Sequence, residues 1–227
     1  TLGAIFHRLH ATLGCFIREK RMQDHTIEGS SSEFKSVLTK GRDTKWNILI
    51  ECRVKSENRV LADRTIVSKN NLTLVGGTGA KGSSGDNANA QEATFNGMHS
   101  VIIGKDDSIY VGDTWNNRVR KIDPKTNIIT AFAGTGAHAF SGDNGPATKA
   151  VFTGVFCIAF DAAKKNLIIT DLENRRIRSV NLETNIVTTL AGNGKNGVPK
   201  NISKAVDSPL VDPRAACMDA MGNLYIL

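Results

Sequence analysis

The chain has 227 residues, of which 40% are hydrophobic, and a formal net charge of +7. That length and composition allow one or two domains with a proper core, and the lack of any apolar run of about 18 residues excludes a membrane-spanning helix. Residues 1–70 contain 13 Lys or Arg against 8 Asp or Glu, whereas residues 71–227 contain 16 against 14. Because nucleic-acid affinity depends on clustered cations, residues 71–227 are poor candidates for binding nucleic acid.

Residues 1–45 differ from everything that follows them. Apolar residues such as Leu2, Ile5, Leu9 and Leu13 recur at three- and four-residue spacing, which predicts an amphipathic helix over about residues 1–21. We favour packing of this helix against the rest of the protein, and peripheral contact with a membrane surface is the alternative. The polar residues 24–45 predict a linker.

From residue 46 onward we predict one domain built of related units. The first unit, about residues 46–79, is degenerate: it contains a strand-like apolar run at 46–54 and echoes of later motifs at 58–60 and 71–79, but it lacks their aspartate. Residues 97–136 then recur as 154–194, about 58 positions later, and a third copy begins near residue 210.

Each full unit predicts a small antiparallel sheet. In the first copy, short β-branched runs at 101–103, 109–111, 118–122 and 128–132 are separated by Asp-, Asn- and Pro-containing turns, which predicts a four-stranded meander. Arg118 and Arg120 alternate with Val119 and Ile122. We therefore expect the third strand to have one face in water.

A lone meander of this size leaves two bare faces and two open edges. Radial repetition buries each face against the neighbouring sheet, so we predict an all-β fold, a β-propeller of four-stranded blades. The blades span about residues 95–136 and 152–194, with the start of another at about 210–227, after a short helical or irregular N-terminal segment. Since closed propellers need four to eight blades, we expect this chain to be a fragment with further blades downstream.

The repeated motif resembles a known family. Residues 109–111, Asp113 and 117–119, and again 167–169, Asp171, Asn174 and 175–177, resemble the NHL repeat over about residues 71–227. The resemblance implies a propeller of the six-bladed type. It also implies a binding or scaffolding platform, similar to the repeats of teneurin-like extracellular proteins and bacterial NHL proteins, which favours an extracellular location.

Two long loops join the predicted blades. Residues 79–95 match 136–152, and each loop contains Ser-Gly-Asp-Asn. In an antiparallel meander, the connection between blades and the turn between the second and third strands emerge on the same side. We therefore predict that both loops and the turn at 113–117 share one rim of the propeller.

The acidic residues of these segments have two predicted roles. Asp113 and Asp171 recur in every unit, so we expect them to build the blade by accepting N–H groups of the turn and pairing with Arg118 and with Arg175 or Arg176. Asp86 and Asp143 in the loops favour Asx turns over calcium binding, because each loop offers a single carboxylate and calcium takes six to eight oxygens.

The predicted binding residues lie on this rim: Trp115, Asn116, His138, Asp86 and Asp143. Trp115 has no aromatic counterpart in the next unit, where Leu172 or Glu173 occupies its place, so the blade itself does not require it. His99 begins an inner strand, but its counterpart is Phe156. No ring of histidines therefore forms, and the four cysteines lack metal-ligand spacing.

No catalytic motif or cofactor fingerprint occurs in the sequence, so we predict a non-catalytic propeller that presents rim loops to a protein or carbohydrate partner. The resemblance leaves two alternatives. NHL-like propellers include an amidating lyase, and related propellers include lactonases, and both use metal ions in the central channel. Here the ligands for such a metal, calcium or zinc, would have to come from missing blades. Some NHL proteins bind RNA, an alternative that the near-neutral repeats weaken.

Overall fold

The structure is a computed structural model that describes residues 33–40, 46–53 and 73–227. Those ranges contain fourteen strands and four short 3₁₀ helices, and the strands form four antiparallel sheets. None of the described helices is long and apolar enough to span a bilayer. The strands are β1 (Glu33–Lys40), β2 (Trp46–Arg53), β3 (Thr73–Gly79), β4 (Ala88–Asn89), β5 (Ser100–Ile103), β6 (Ile109–Asp113), β7 (Arg118–Ile122), β8 (Ile128–Ala133), β9 (Val155–Phe160), β10 (Asn166–Asp171), β11 (Arg176–Asn181), β12 (Val187–Ala191), β13 (Ala216–Met218) and β14 (Leu224–Ile226).

Strands β5 to β8 form the first complete blade, in the order in which they occur along the chain. The short strand β4, which belongs to the preceding loop, adds to the outer edge of β8. Two of the turns contain Asp107 and Asn127 with φ of 61° and 56°, a left-handed conformation that Asp and Asn tolerate better than other L-residues. The predicted four-stranded antiparallel blade is therefore confirmed.

Strands β9 to β12 repeat this arrangement and fix the correspondence between units. Asp113 pairs with Arg118 at the end of the β6–β7 hairpin, and Asp171 pairs with Arg176 at the end of the β10–β11 hairpin. Arg176, and not Arg175, is thus the counterpart of Arg118. By the same register, Glu173 is the counterpart of Trp115.

Successive blades pack face to face. Tyr110 on β6 is buried against the next blade, with its ring edge-on to Phe160 at a centroid distance of 5.5 Å. Ile168, at the same position in the second blade, is buried with Leu210 and Ala216 of the unit that follows. Side chains at equivalent positions therefore have equivalent surroundings, which is the packing expected of propeller blades.

The first part of the chain differs in one respect from the prediction. Glu33–Lys40, inside the predicted polar linker, forms strand β1 and pairs along its whole length with β2. Strands β2 and β3 pair within the range of the predicted degenerate unit, and β13 and β14 lie in the last one. The predicted N-terminal helix lies outside the described residues, and the domain boundary at residue 45 stays a prediction.

Candidate binding surface on one rim

The inter-blade loops and the turns between second and third strands meet on one rim. The amide of Asn116 donates to Gly82 O at 2.7 Å, and the amide of Asn174 donates to Ala139 O at 2.8 Å. Each bond joins a turn to the loop that precedes its blade. The predicted shared rim is therefore confirmed for both complete blades.

The motif aspartates lie beneath this rim and are fully buried. Asp113 accepts the Asn96 N–H at 2.9 Å and the Asn116 amide at 2.8 Å. Asp171 accepts the Thr153 N–H at 2.7 Å and the Asn174 amide at 2.9 Å. Burial raises the pKa of Asp113 and raises that of Asp171 to about 6, against the opposing effect of these hydrogen bonds. These are the contacts that a blade-building role requires.

Two arginines whose burial was not predicted from the sequence connect the motif aspartates to the loops. Arg120 is completely buried, so the expectation of a wet face on β7 is wrong at this position. Its Nε donates to Asp86 Oδ1 at 2.8 Å, and its Nη1 lies 3.7 Å from Asp113 Oδ2. The loop covers this face of the strand, and the charge is matched by carboxylates.

The same arrangement recurs in the next blade. Arg178 is completely buried, donates to Asp143 Oδ1 at 2.7 Å and lies 3.6 Å from Asp171. A signal was present in the sequence, because a second arginine two positions after the first recurs in both units. Asp86 and Asp143 thus have partners inside the protein, and the binding role predicted for them stays a prediction.

The arginines at the strand starts also have internal partners. Arg118 donates to Asp86 at 2.8 Å, and Arg175 lies 3.4 Å from Asp212. Arg176 donates to Asn193 O at 2.9 Å and stacks on the ring of Phe140 at 3.7 Å. The arginines at these strand starts are therefore engaged within the fold.

Trp115 is held in place although the residue is 45% exposed. It lies on the 3₁₀ turn Thr114–Asn116, which ends at Asn117 in the left-handed conformation. A Cβ on Gly97, whose φ is +63°, would overlap the indole ring, so the ring can occupy this position only because residue 97 is glycine. His99 packs edge-on against the same ring at a centroid distance of 5.8 Å.

Glu173 is the neighbour of Trp115 across the boundary between blades. A Cβ built on Gly154 would lie 3.7 Å from both Trp115 Cζ3 and Glu173 Cγ, so the two side chains flank one point. His138 Nε2 lies 2.9 Å from Glu173 Oε2, and both side chains are largely exposed. The structure therefore places Glu173 between the predicted residues: it bonds His138 and lies near the same backbone position as Trp115.

A row of stacked side chains continues from Trp115 towards the inner strands. The His99 ring stacks on Phe156 at 4.4 Å, and the Arg214 guanidinium lies over Phe156 at 5.4 Å. His99 Nδ1 is 3.0 Å from Thr114 Oγ1, and burial lowers the pKa of its imidazole. Across the described part of the chain, no group of three or more His, Cys, Asp or Glu side chains is arranged to hold a metal ion.

Comparisons with known proteins support the repeat assignment. No family model matches the chain. NHL repeat-containing protein 2 of Homo sapiens is 33% identical over 89 residues, which is 36% of this chain and 11% of that protein. The Gallus gallus protein of the same name is 34% identical over 93 residues, or 39% of this chain and 13% of that protein. The matches thus span a small part of these relatives.

A solved structure shares the fold. It is a protein of unknown function from Bacteroides thetaiotaomicron, similar with a TM-score of 0.58 at 19% sequence identity. The superposition covers 86% of this chain and 41% of that protein. At this identity the likeness concerns the fold alone.

Proposed function

Starting from the NHL repeats of this chain and their propeller architecture, we propose that it is part of a non-catalytic binding platform. Its partner, a protein or a carbohydrate, contacts the rim formed by the inter-blade loops. The contact is centred on Trp115, with His138 and Glu173 beside it. Asn116 supports this surface from below, because its amide is bonded to Gly82 O and to Asp113.

One observation carries this proposal. At the position of Trp115 the next blade has Glu173, in the same turn and the same register. The fold is built equally well with either residue, so blade construction does not explain the tryptophan. A large aromatic ring that is held rigidly and exposed on a rim is a residue type enriched among binding hot spots.

The charge distribution supports a platform of this kind over an RNA-binding surface. Arg118, Arg120, Arg176 and Arg178 are all engaged by carboxylates, carbonyl groups or aromatic rings of the protein. Phosphate binding depends on cations that can exchange small counterions for the nucleic-acid backbone. Residues 71–227 carry nearly balanced charge as well.

Site-specific photo-cross-linking of the intact protein tests the proposal. The photoreactive residue p-benzoylphenylalanine replaces Ala137, which is exposed beside His138 on the rim loop, in one variant and Ile128 in the control. Ile128 is also exposed, but it begins β8 at the opposite end of the blade. We expect adducts at position 137 that excess unmodified protein competes away, and none at position 128. Equal labelling at both positions, or none at either, would contradict the proposal.

A further inference from the structure

We infer that the ligand of this rim is a carbohydrate whose sugar ring lies on Trp115 and whose hydroxyl groups bond Glu173 and His138. This inference rests on the proposed function and narrows its ligand to one class. It follows from the chemistry of three neighbouring side chains from two blades and the loop between them.

The apolar half of the surface is one flat ring. A pyranose presents a face of C–H groups that matches the electron-rich face of an indole. Gly97 and His99 both lie against the Trp115 ring, and the residue remains 45% exposed. A single rigid ring of this size suits one sugar unit.

The polar half lies directly beside it. Glu173 Oε2 is bonded to His138 Nε2, which leaves Oε1 to accept hydrogen bonds. Sugar hydroxyls both donate and accept, so a carboxylate and an imidazole next to an aromatic ring offer complementary groups. Glu173 Cγ and Trp115 Cζ3 each lie 3.7 Å from the position that a Cβ would take on Gly154, so the two side chains lie near one backbone position.

The loop that carries His138 is fixed before any ligand binds. Ala139 O accepts from Thr153 Oγ1 at 3.1 Å and from the Asn174 amide at 2.8 Å. The adjacent Phe140 is covered on one face by Arg176 at 3.7 Å. Polar groups held in advance lose little entropy on binding, which favours weakly apolar ligands such as sugars.

The composition of the surface favours a sugar over a protein. Protein interfaces have an apolar core from which charged residues are depleted. On this rim Trp115 is accompanied by an exposed acid and an exposed imidazole, and the ring of Phe140 has a guanidinium over it. These charged and polar surroundings, rather than the ring itself, favour a sugar unit over a protein.

Titration of the intact protein with neutral tetrasaccharides of glucose, mannose, xylose and N-acetylglucosamine tests the inference. Isothermal titration calorimetry reports binding, and tryptophan emission reports contact with the ring, since Trp115 is one of only two tryptophans. We expect at least one tetrasaccharide to bind and to change the emission. Trp115→Ala should weaken binding about tenfold or more, as expected for loss of aromatic stacking.

Three further variants separate the contributions. Glu173→Gln should weaken binding about tenfold, because a hydrogen bond to a charged acceptor is lost. Trp115→Phe should retain part of the affinity but lose the change in emission. Ile128→Ala, matched in exposure but on the other end of the blade, should bind as the wild type does.

Failure of the inference is distinguishable from failure of the platform. If no tetrasaccharide binds at up to about 1 mM while position 137 cross-links a protein, the carbohydrate assignment is overturned and the rim remains a binding surface. If position 137 also captures nothing, both are overturned. Saccharide binding that Trp115→Ala leaves unchanged would place the sugar elsewhere and overturn the inference too.

Discussion

Removal of the loop carboxylate Asp143 should destabilise the protein far more than removal of an exposed ion pair. Asp143 bonds the completely buried Arg178 at 2.7 Å and also accepts from Thr189 Oγ1 at 2.6 Å. Asp143→Ala leaves a buried guanidinium whose nearest remaining carboxylate, Asp171, is 3.6 Å away. Removing one partner of a buried pair costs about 3 to 5 kcal/mol, and the remaining carboxylate places this case near 3 kcal/mol.

The assay is urea or thermal unfolding of the wild type and three variants. A loss of about 3 kcal/mol corresponds to a decrease in melting temperature of about 6 to 12 °C for a domain of this size. Asp86→Ala, in the preceding blade, should cost at least as much because Asp86 bonds both Arg118 and Arg120. Lys121→Met removes an ion pair with the exposed Asp106 and should cost about 0.5 kcal/mol. A loss below about 1 kcal/mol for Asp143→Ala, or a loss equal to that of Lys121→Met, would refute the reasoning.

Three other perturbations have defined outcomes. Burial raises the pKa of Asp171 from 3.8 to about 6, so its contribution to the free energy of unfolding is fully present below about pH 4 and declines as the pH rises to about 6. The stability difference between the wild type and Asp171→Asn should therefore fall across that range in denaturation curves, and a rise would contradict the raised pKa. Gly97→Ala places a Cβ in the Trp115 ring at a residue with positive φ. It should lower the free energy of unfolding by about 1 to 2 kcal/mol and weaken binding at the rim, whereas unchanged affinity would show that the position of the ring is unimportant. Ser100→Ala removes the hydroxyl that accepts the buried Ile158 N–H of the next blade at 3.1 Å, and it should lower the free energy of unfolding by about 1 to 3 kcal/mol. A loss no larger than that of Lys121→Met would show that this contact between blades contributes little.

The sequence predicted the blades well because their signals are local. Short β-branched runs, turn residues such as Asp107 and Asn127, and a repeat length of about 58 residues all lie along a continuous stretch of chain. Repetition then required neighbouring sheets to cover each other's faces. The propeller could therefore be predicted without knowing any contact between residues far apart in the sequence.

Burial of Arg120 and Arg178 could not be predicted in the same way. The alternation of side chains along β7 places Arg120 on a face that would be exposed to water in an isolated sheet. The loop that covers this face lies more than 30 residues earlier in the chain. The residues that neutralise the charge, Asp86 and Asp143, were visible as a repeated motif. Their partner was not, because the pairing exists only once the loop folds back over its blade.

The candidate surface was predicted in part for the same reason. Trp115 and His138 were selected from the sequence because they lie on rim segments, whereas their connection through Glu173 depends on the approach of two blades at Gly154. Aligning the units through Asp113 and Asp171 without the ambiguity at Arg175 and Arg176 would have placed Glu173 opposite Trp115. The strand register removes that ambiguity.

Hydrogen–deuterium exchange of the intact protein, with and without the partner that cross-linking or titration identifies, tests the central claim most directly. The account predicts slower exchange at the turns Thr114–Asn116 and 172–174 and in the loop at 137–140, which together form the rim around Trp115. Exchange in the turns at 104–108 and 123–127, at the other end of the blade, should not change. Protection confined to those opposite turns, or spread evenly over both ends, would contradict a binding surface built on this rim.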